Sequence, residues 1–401
     1  MDKFYLESPS IKRKNEAINY VKEFYENNSN LNGDSGLDKY LDNYEGCITN
    51  LSNSILKHFN CTTYHNTLSF IDKILDKNYK NVIVILCDGL GSKILDKHIN
   101  EDSFLRKNRV REITTVFPPT TTAATTSMMS GKNPNEHGWL GWDLYFKDED
   151  QTITMFLNTL KNSNIIAQEY NVSNKTYPYE NIIEKINKKS RAYLLAPFKD
   201  EKYHDFNNIV EDIYKLNLIN EKKFIYAYYD NPDSLLHELG SNKKEVVEEI
   251  QKINDKIEEL CSKIKNSVVI TIADHGHINS EPINLENYTS ITQTLEREVS
   301  IEPRAQSFKI KPGLESIFKQ EFNKYFKNDF NLLDQNEVLE QKIFGVGKNN
   351  IHFKDSIGDF VAIAIGDKYF IDNETCQKFK SMHAGLTEDE MLIPVIIKEI
   401  N

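Results

Sequence analysis

Four short apolar runs constrain this 401-residue chain most: NVIVILC at 81–87, KFIYAYY at 223–229, SVVITIA at 267–273 and MLIPVII at 391–397. Each is too short and too uninterrupted for an amphipathic helix and has the composition of a strand buried on both faces. Helical patterns separate the runs, so the class is α/β, with a mostly parallel central sheet flanked by helices. The longest helical pattern carries Val246, Ile250, Ile253, Ile257, Leu260 and Ile264 at alternating spacings of four and three. About three heptads lying between two strands read as a helix covering a sheet rather than a coiled-coil seam. Residues 1–60 read as a mostly helical leader packed on the core, within which NLSNSILKHF is an amphipathic helix. Residues 61–279 and 379–401 read as the core. Between them, 280–378 reads as a smaller inserted α+β subdomain, with RAQSFKIKPG and DFVAIAIGDKYFI as hairpin strands around the helical GLESIFKQEFNKYF.

Three of the four runs lead into acidic or acidic and histidine clusters. VIVILCDGLGS places Asp88 and Gly89 after the first, YAYYDNPDSLLHELG places Asp233 and His237 beyond the second, and VVITIADHGH places Asp274, His275 and Gly276 after the third. Ligands of open α/β sheets bind outside the carboxyl ends of the strands. Asp233 and His237 are four apart and share one face if a helix begins there. A single Asp after a strand is commonly a turn residue, but several strand ends converging on carboxylates and imidazoles read as a metal site. Asp88, Asp274 and His275 make one donor set. Asp233 and His237 lack a third ligand, which His383 in MHAGLTEDEMLIP can supply. The donor count suggests two divalent cations, zinc first, with manganese or iron also suited to these ligands. His137 in NEHGW reads as structural, and His277 in ADHGH as an extra contact.

The stretch VFPPTTTAATTSMMSG gathers five threonines and two serines with no charge until Lys132. One reading is a Pro-initiated helix start capped by hydroxyls, and the other is a nucleophile among them. Taken in order from about residue 80 to 400, CDGLG, FPPTTTAATTSMMSGKNPNEHGWLGW, NPDSLLHELG, ADHGH and HAGLTEDEMLIP resemble the alkaline phosphatase superfamily, in its type I phosphodiesterase and nucleotide pyrophosphatase branch. The resemblance implies an alkaline-phosphatase-like fold and a two-metal hydrolase of phosphodiester or pyrophosphate bonds. It places the nucleophile three residues after the proline of Phe-Pro, at Thr121, which forms a covalent phospho-threonine. It implies that Asp88, Thr121, Asp274 and His275 hold one metal and that Asp233, His237 and His383 hold the other. A phosphomonoesterase or phosphotransferase using the same two metals is the alternative, and a catalytically silent metal-binding scaffold a remote one. The chain departs from nucleotide-cleaving members at Ala124, where the resemblance implies an asparagine.

The formal net charge of −11 argues against a duplex nucleic acid partner, which normally calls for a basic face. No apolar run approaches the ~20 residues of a membrane helix, and the opening MDKFYLESPSIKRKNEAI has no signal-peptide core, so the expectation is a cytoplasmic protein without a membrane partner. Five cysteines without a C-x-x-C pair fit reduced thiols. The expected partner is a small-molecule phosphoester. Trp139, Trp142 and Tyr145 read first as core and second as a face for an organic group. Arg304 reads first as an ion-pair member and second as an anion contact.

Overall fold

The computed structural model describes residues 46–401. The expected leader therefore lies largely outside the described residues, and its described part is helix α1, Ile48–His58. The apolar runs form strands β1 (Asn81–Cys87), β4 (Lys223–Tyr229), β5 (Ser267–Ile272) and β6 (Leu392–Ile400), joined by β2 (Arg109–Thr114) and β3 (Arg191–Leu195). Together they make a six-stranded sheet in the order β2-β6-β5-β1-β4-β3. β1 pairs in parallel with both β4 and β5, β4 pairs in parallel with β3, and β6 runs antiparallel to β5 and β2. Every residue of β1 and β5 is buried, as helix-covered strands require.

The helices explain that burial. In α4, Lys244–Lys263, the side chains of Val246, Ile250, Ile253, Ile257 and Leu260 all face the core, so the heptad-like spacing covers a sheet. Helix α2, Thr121–Ser130, lies against α1, where Ser52 donates to the Met128 carbonyl at 2.6 Å and Asn53 to that of Gly131 at 2.9 Å. A ten-residue helix made of Thr, Ser, Ala and Met is thus fixed by a partner helix rather than by an apolar stripe of its own.

A second, antiparallel sheet of seven strands runs in the order Phe330–Asp334, Phe360–Ala364, Ala305–Phe308, Ser300–Glu302, Asp143–Phe146, Gln151–Thr154, Thr159–Leu160. It draws on 143–160 as well as on the 280–378 segment. Strands of two to four residues, such as these three, give too little alternation to be read locally. Helix Glu315–Phe326 covers the sheet with Phe318, Phe322 and Phe326, which pack on Phe308, Phe360 and Phe370. The expected hairpin across DFVAIAIGDKYFI does not form. Phe360–Ala364 lies in the seven-stranded sheet, whereas Lys368–Ile371 pairs in parallel with Glu281–Asn284. The Arg304 guanidinium binds the carbonyls of Gly366 and Lys368 and directs the chain away between the two strands. Among the described residues no helix is long and apolar enough to cross a membrane.

Candidate active site

Because β5, β1 and β4 are neighbours, their carboxyl ends bring three loops together. Backbone bonds lock them. The Asp88 amide donates to the Tyr229 carbonyl, the Asp233 amide to the Asp88 carbonyl, and the amides of Gly89 and His275 to Asp274 Oδ1 at 3.1 and 3.0 Å. Gly89 has φ +72°, and a Cβ there would sit 3.0 Å from Asp233 Cα, so the tight turn after β1 requires glycine. Helix α3, Asp233–Leu239, then sets Asp233 and His237 on one face, with Nε2 of His237 3.4 Å from Asp233 Oδ1.

Helix α2 begins at the same edge. Thr120 is its extended N-cap, yet its hydroxyl does not cap the helix; it donates to Glu302 Oε1 at 2.6 Å. Thr122 is fully buried. Thr121 is the hydroxyl that meets the strand ends, 3.4 and 3.3 Å from the two oxygens of Asp88 and 3.3 Å from His275 Nε2. Asp88 also accepts from the Tyr228 hydroxyl.

The four histidines are held alike. Nδ1 of His275, His237 and His383 faces the carbonyls of Gly276, Ser381 and Pro119 at 3.1, 2.8 and 3.1 Å, so in each ring Nδ1 carries the proton. His277 Nδ1 faces Ser381 Oγ, whose own hydrogen goes to the Ile278 carbonyl, so this ring donates through Nδ1 too. Every Nε2 points inward. Those of His277, His237 and His383 lie 2.5, 3.4 and 3.8 Å from Asp233 Oδ1, and that of His275 lies 3.3 Å from Asp88 and 3.5 Å from Asp274. Such orientation by a distal carbonyl or hydroxyl is how proteins present imidazole to a metal.

Electrostatics calls for a cation at the same place. Burial raises Asp274 well above the usual carboxyl range, helped by Asp88, and its Oδ2 is buried without a hydrogen bond. Burial opposes protonation of His275, but Asp274 and Asp88 outweigh it and lift the ring to about 10. Burial also raises Asp233, and the histidines around it reverse that and hold it well below normal. His277 is pushed down to about 4 by burial, which outweighs the opposing pull of Asp233. Nε2 of His277 and Oδ1 of Asp233 lie 2.5 Å apart. Asp233, His275, His277 and His383 form one group with the spacing of a metal site, and Asp88, Asp274 and His275 form a second. The donor chemistry of both fits divalent ions.

All seven sequence-derived site residues, Asp88, Thr121, Asp233, His237, Asp274, His275 and His383, come together here. Sequence reasoning underweighted His277, although its place two after His275 puts both at one strand end, and it missed Tyr228, Ser381 and Glu302. His137 is structural: it is buried, with Nε2 3.0 Å from Ser127 Oγ. Arg304 forms a fully buried ion pair with Glu390, Nε to Oε1 at 2.7 Å and Nη2 to Oε2 at 2.8 Å. Trp139 is core, Tyr145 is bonded to Asp150 outside the site, and Trp142 lines the cavity beside Thr121. The Ala124 side chain is fully buried in the core.

The profile of the family described as type I phosphodiesterase / nucleotide pyrophosphatase matches residues 82–386. Among solved structures, murine ectonucleotide pyrophosphatase / phosphodiesterase 5 superposes with a TM-score of 0.61 at 15% identity, covering 78% of this chain and 87% of that one. An inactive form of that enzyme in complex with AMP gives 0.60 at 16%, with the same coverage. Phosphonoacetate hydrolase from Sinorhizobium meliloti, in complex with phosphonoformate, gives 0.59 at 14%, covering 80% of this chain and 90% of that one. At these identities the structural likeness establishes the fold alone. No curated protein sequence matches the chain. The family profile spans both candidate metal groups and Thr121, and the chain belongs to the type I phosphodiesterase / nucleotide pyrophosphatase family of phosphoester hydrolases.

Proposed function

We propose that this chain hydrolyses phosphodiester or pyrophosphate bonds in two steps through a covalent phosphoryl group on Thr121. The single observation that carries the reading is the Thr121 hydroxyl at the start of α2, within 3.3 Å of both Asp88 Oδ2 and His275 Nε2. Thr121 Oγ1 attacks phosphorus as the alcohol or phosphate on the far side departs. Water then adds to phosphorus and releases the monoester from Thr121. The free amides of the first turn of α2 favour the negative charge that develops on the phosphoryl oxygens. Asp88, Thr121, Asp274 and His275 would hold one divalent cation, and Asp233, His237 and His383 the other, with His277 beside them. Bound there, the ions, zinc first, would act as Lewis acids that acidify the nucleophile and stabilise the leaving oxygen.

Diesters and pyrophosphates are favoured over monoesters by charge. Two divalent ions bring about +4 against about −3 from the three aspartates, leaving roughly +1. A diester with one negative charge at phosphorus nearly balances this, and a monoester dianion does not. Among the described residues Lys161 is the one lysine or arginine lining the cavity, and it is tied to Asp372 at 2.6 Å.

Thr121→Ala should lose several orders of magnitude in kcat, and Thr121→Ser should keep part of it. Intact-mass analysis after a quench with a slow diester should show one added mass of the diester less its leaving alcohol on the native chain and none on Thr121→Ala. An adduct that survives in Thr121→Ala, or inactivity of Thr120→Ala in its place, overturns the assignment. Elemental analysis should find about two metals per chain, reduced in His237→Ala and in His383→Ala.

A further inference from the structure

His277 lies beyond β5, two residues after His275, and is absent from the ligand set that the family resemblance implies. A two-stranded antiparallel ribbon brings it to that set. Ile278–Asn279 pairs with Ser381–Met382, with Met382 opposite Ile278 and Ser381 opposite Asn279. His277 precedes one strand and His383 follows the other, so the two rings stand at the same end of the ribbon, with centroids 5.2 Å apart. His237 completes the group, 4.8 Å from His277 and 5.1 Å from His383. The three rings are tilted edge to face rather than stacked, and their Nε2 atoms converge on one oxygen, Asp233 Oδ1, at 2.5 Å from His277, 3.4 Å from His237 and 3.8 Å from His383.

One residue orients two of these rings. The Ser381 carbonyl accepts from His237 Nδ1 at 2.8 Å, and Ser381 Oγ accepts from His277 Nδ1 at 3.1 Å while donating to the Ile278 carbonyl at 3.0 Å. A distal acceptor of this kind fixes the tautomer of a metal-bound histidine. Gly89 leaves room for both donors, since a Cβ there would sit 3.0 Å from Asp233 Cβ and 3.0 Å from His277 Cδ2. His275 is within reach of the group as well, but its Nε2 lies 3.3 Å from Asp88 and 3.5 Å from Asp274, which assigns it to the other set. An ion pair would need one imidazole at Asp233, whereas three around a single carboxylate oxygen have the composition of a zinc site. Resting on the two-metal reading above, we propose that His277 Nε2 is a direct ligand of the second divalent cation, whose set is then Asp233, His237, His277 and His383. Zinc is satisfied by four such protein donors, and the imidazoles disfavour magnesium and calcium, which take oxygen. The two ions are then unequal, because Asp233 alone leaves the second a net charge of about +1, whereas Asp88 and Asp274 leave the first about neutral.

The test adds about two equivalents of an NMR-active cadmium isotope to the metal-free chain carrying nitrogen-labelled histidine. One-bond coupling to cadmium should appear on the Nε2 resonances of His237, His275, His277 and His383, and the coupled resonance lost in His277→Gln identifies its ring. Coupling confined to His237, His275 and His383 overturns the proposal and leaves the two-metal reading standing. Coupling on none of the rings overturns both. Competition with a chelator gives a second measure that does not depend on turnover. Zinc binding at the second ion should weaken by at least about a hundredfold in His277→Gln, and by about tenfold in Ser381→Ala, which removes the hydroxyl that orients His277 and keeps the carbonyl that orients His237. Zinc affinity unchanged in both variants overturns the proposal, because His277 then serves Asp233 alone.

Discussion

Two histidines of similar burial do opposite work. His277 faces a carboxylate through Nε2, whereas His137 accepts the Trp139 amide at Nδ1 at 3.0 Å and must carry its proton on Nε2. Burial, with a smaller contribution from Lys132, pushes His137 down to about 3. The folded value lies below the unfolded value of about 6.5. The unfolded chain therefore takes up a proton that the folded chain refuses, and stability is complete above about pH 6.5 and falls as pH drops toward about 3. The loss from this ring approaches about 1.4 kcal/mol per pH unit inside the window. Urea unfolding of the native chain and of His137→Gln across mildly acidic pH should show a shallower fall for the variant, and parallel falls would rule out this role for His137.

At the level of elements, the site depends on how closely three segments approach. A Cβ on Gly91 would overlap Gly276 Cα, and one on Gly276 would overlap the Asp389 carbonyl oxygen, so the turn after β1, the turn after β5 and the segment before β6 meet backbone to backbone. The Gly276 amide donates to the Glu390 carbonyl at 2.9 Å in the same contact. Gly276→Ala should cost about 1–3 kcal/mol in stability, since backbone cannot yield as a side chain does. It should also lower metal content by displacing Asp274 and His275. Unfolding midpoints and elemental analysis read the two effects separately, and normal values for both would show that the loops have room to spare.

Across the whole molecule, the two sheets are joined by a buried charge pair. Arg304, before strand Ala305–Phe308, is fully satisfied by Glu390 and two carbonyls, and Glu390 also accepts from the amides of Gly385 and Thr387 and from the Thr387 hydroxyl. Glu390 lies just before the first residue of β6, Leu392, in the segment that follows His383. Arg304→Met should destabilise by about 3–5 kcal/mol, because it leaves a buried carboxylate without its counter-ion. Arg304→Met combined with Glu390→Gln should recover part of that loss in chemical denaturation, since no buried charge then remains unpaired.

The strands of the central sheet and the Asp and His residues gathered at their ends were legible in the sequence because each is encoded locally. A run buried on both faces reads as a strand whatever surrounds it, and the Asp or His that follows sits at a defined strand end. The helix α4 stripe belongs to the same kind of information, whereas the register that selects Thr121 is implied by the family resemblance. The partners between distant segments were not legible. Thr120 reads as an N-cap, and only the meeting of α2 with strand Ser300–Glu302 gives its hydroxyl to Glu302 instead. Arg304 chooses Glu390 over an anion, His277 turns its Nε2 to Asp233, and strands at 143–160 join a sheet made mainly from 300–364, each through contacts more than 40 residues apart in sequence. Local periodicity and spacing report the solvent exposure and hydrogen-bonding needs of a segment, whereas the choice of partner for a buried polar group is settled by which segments the tertiary fold places within about 3 Å of it.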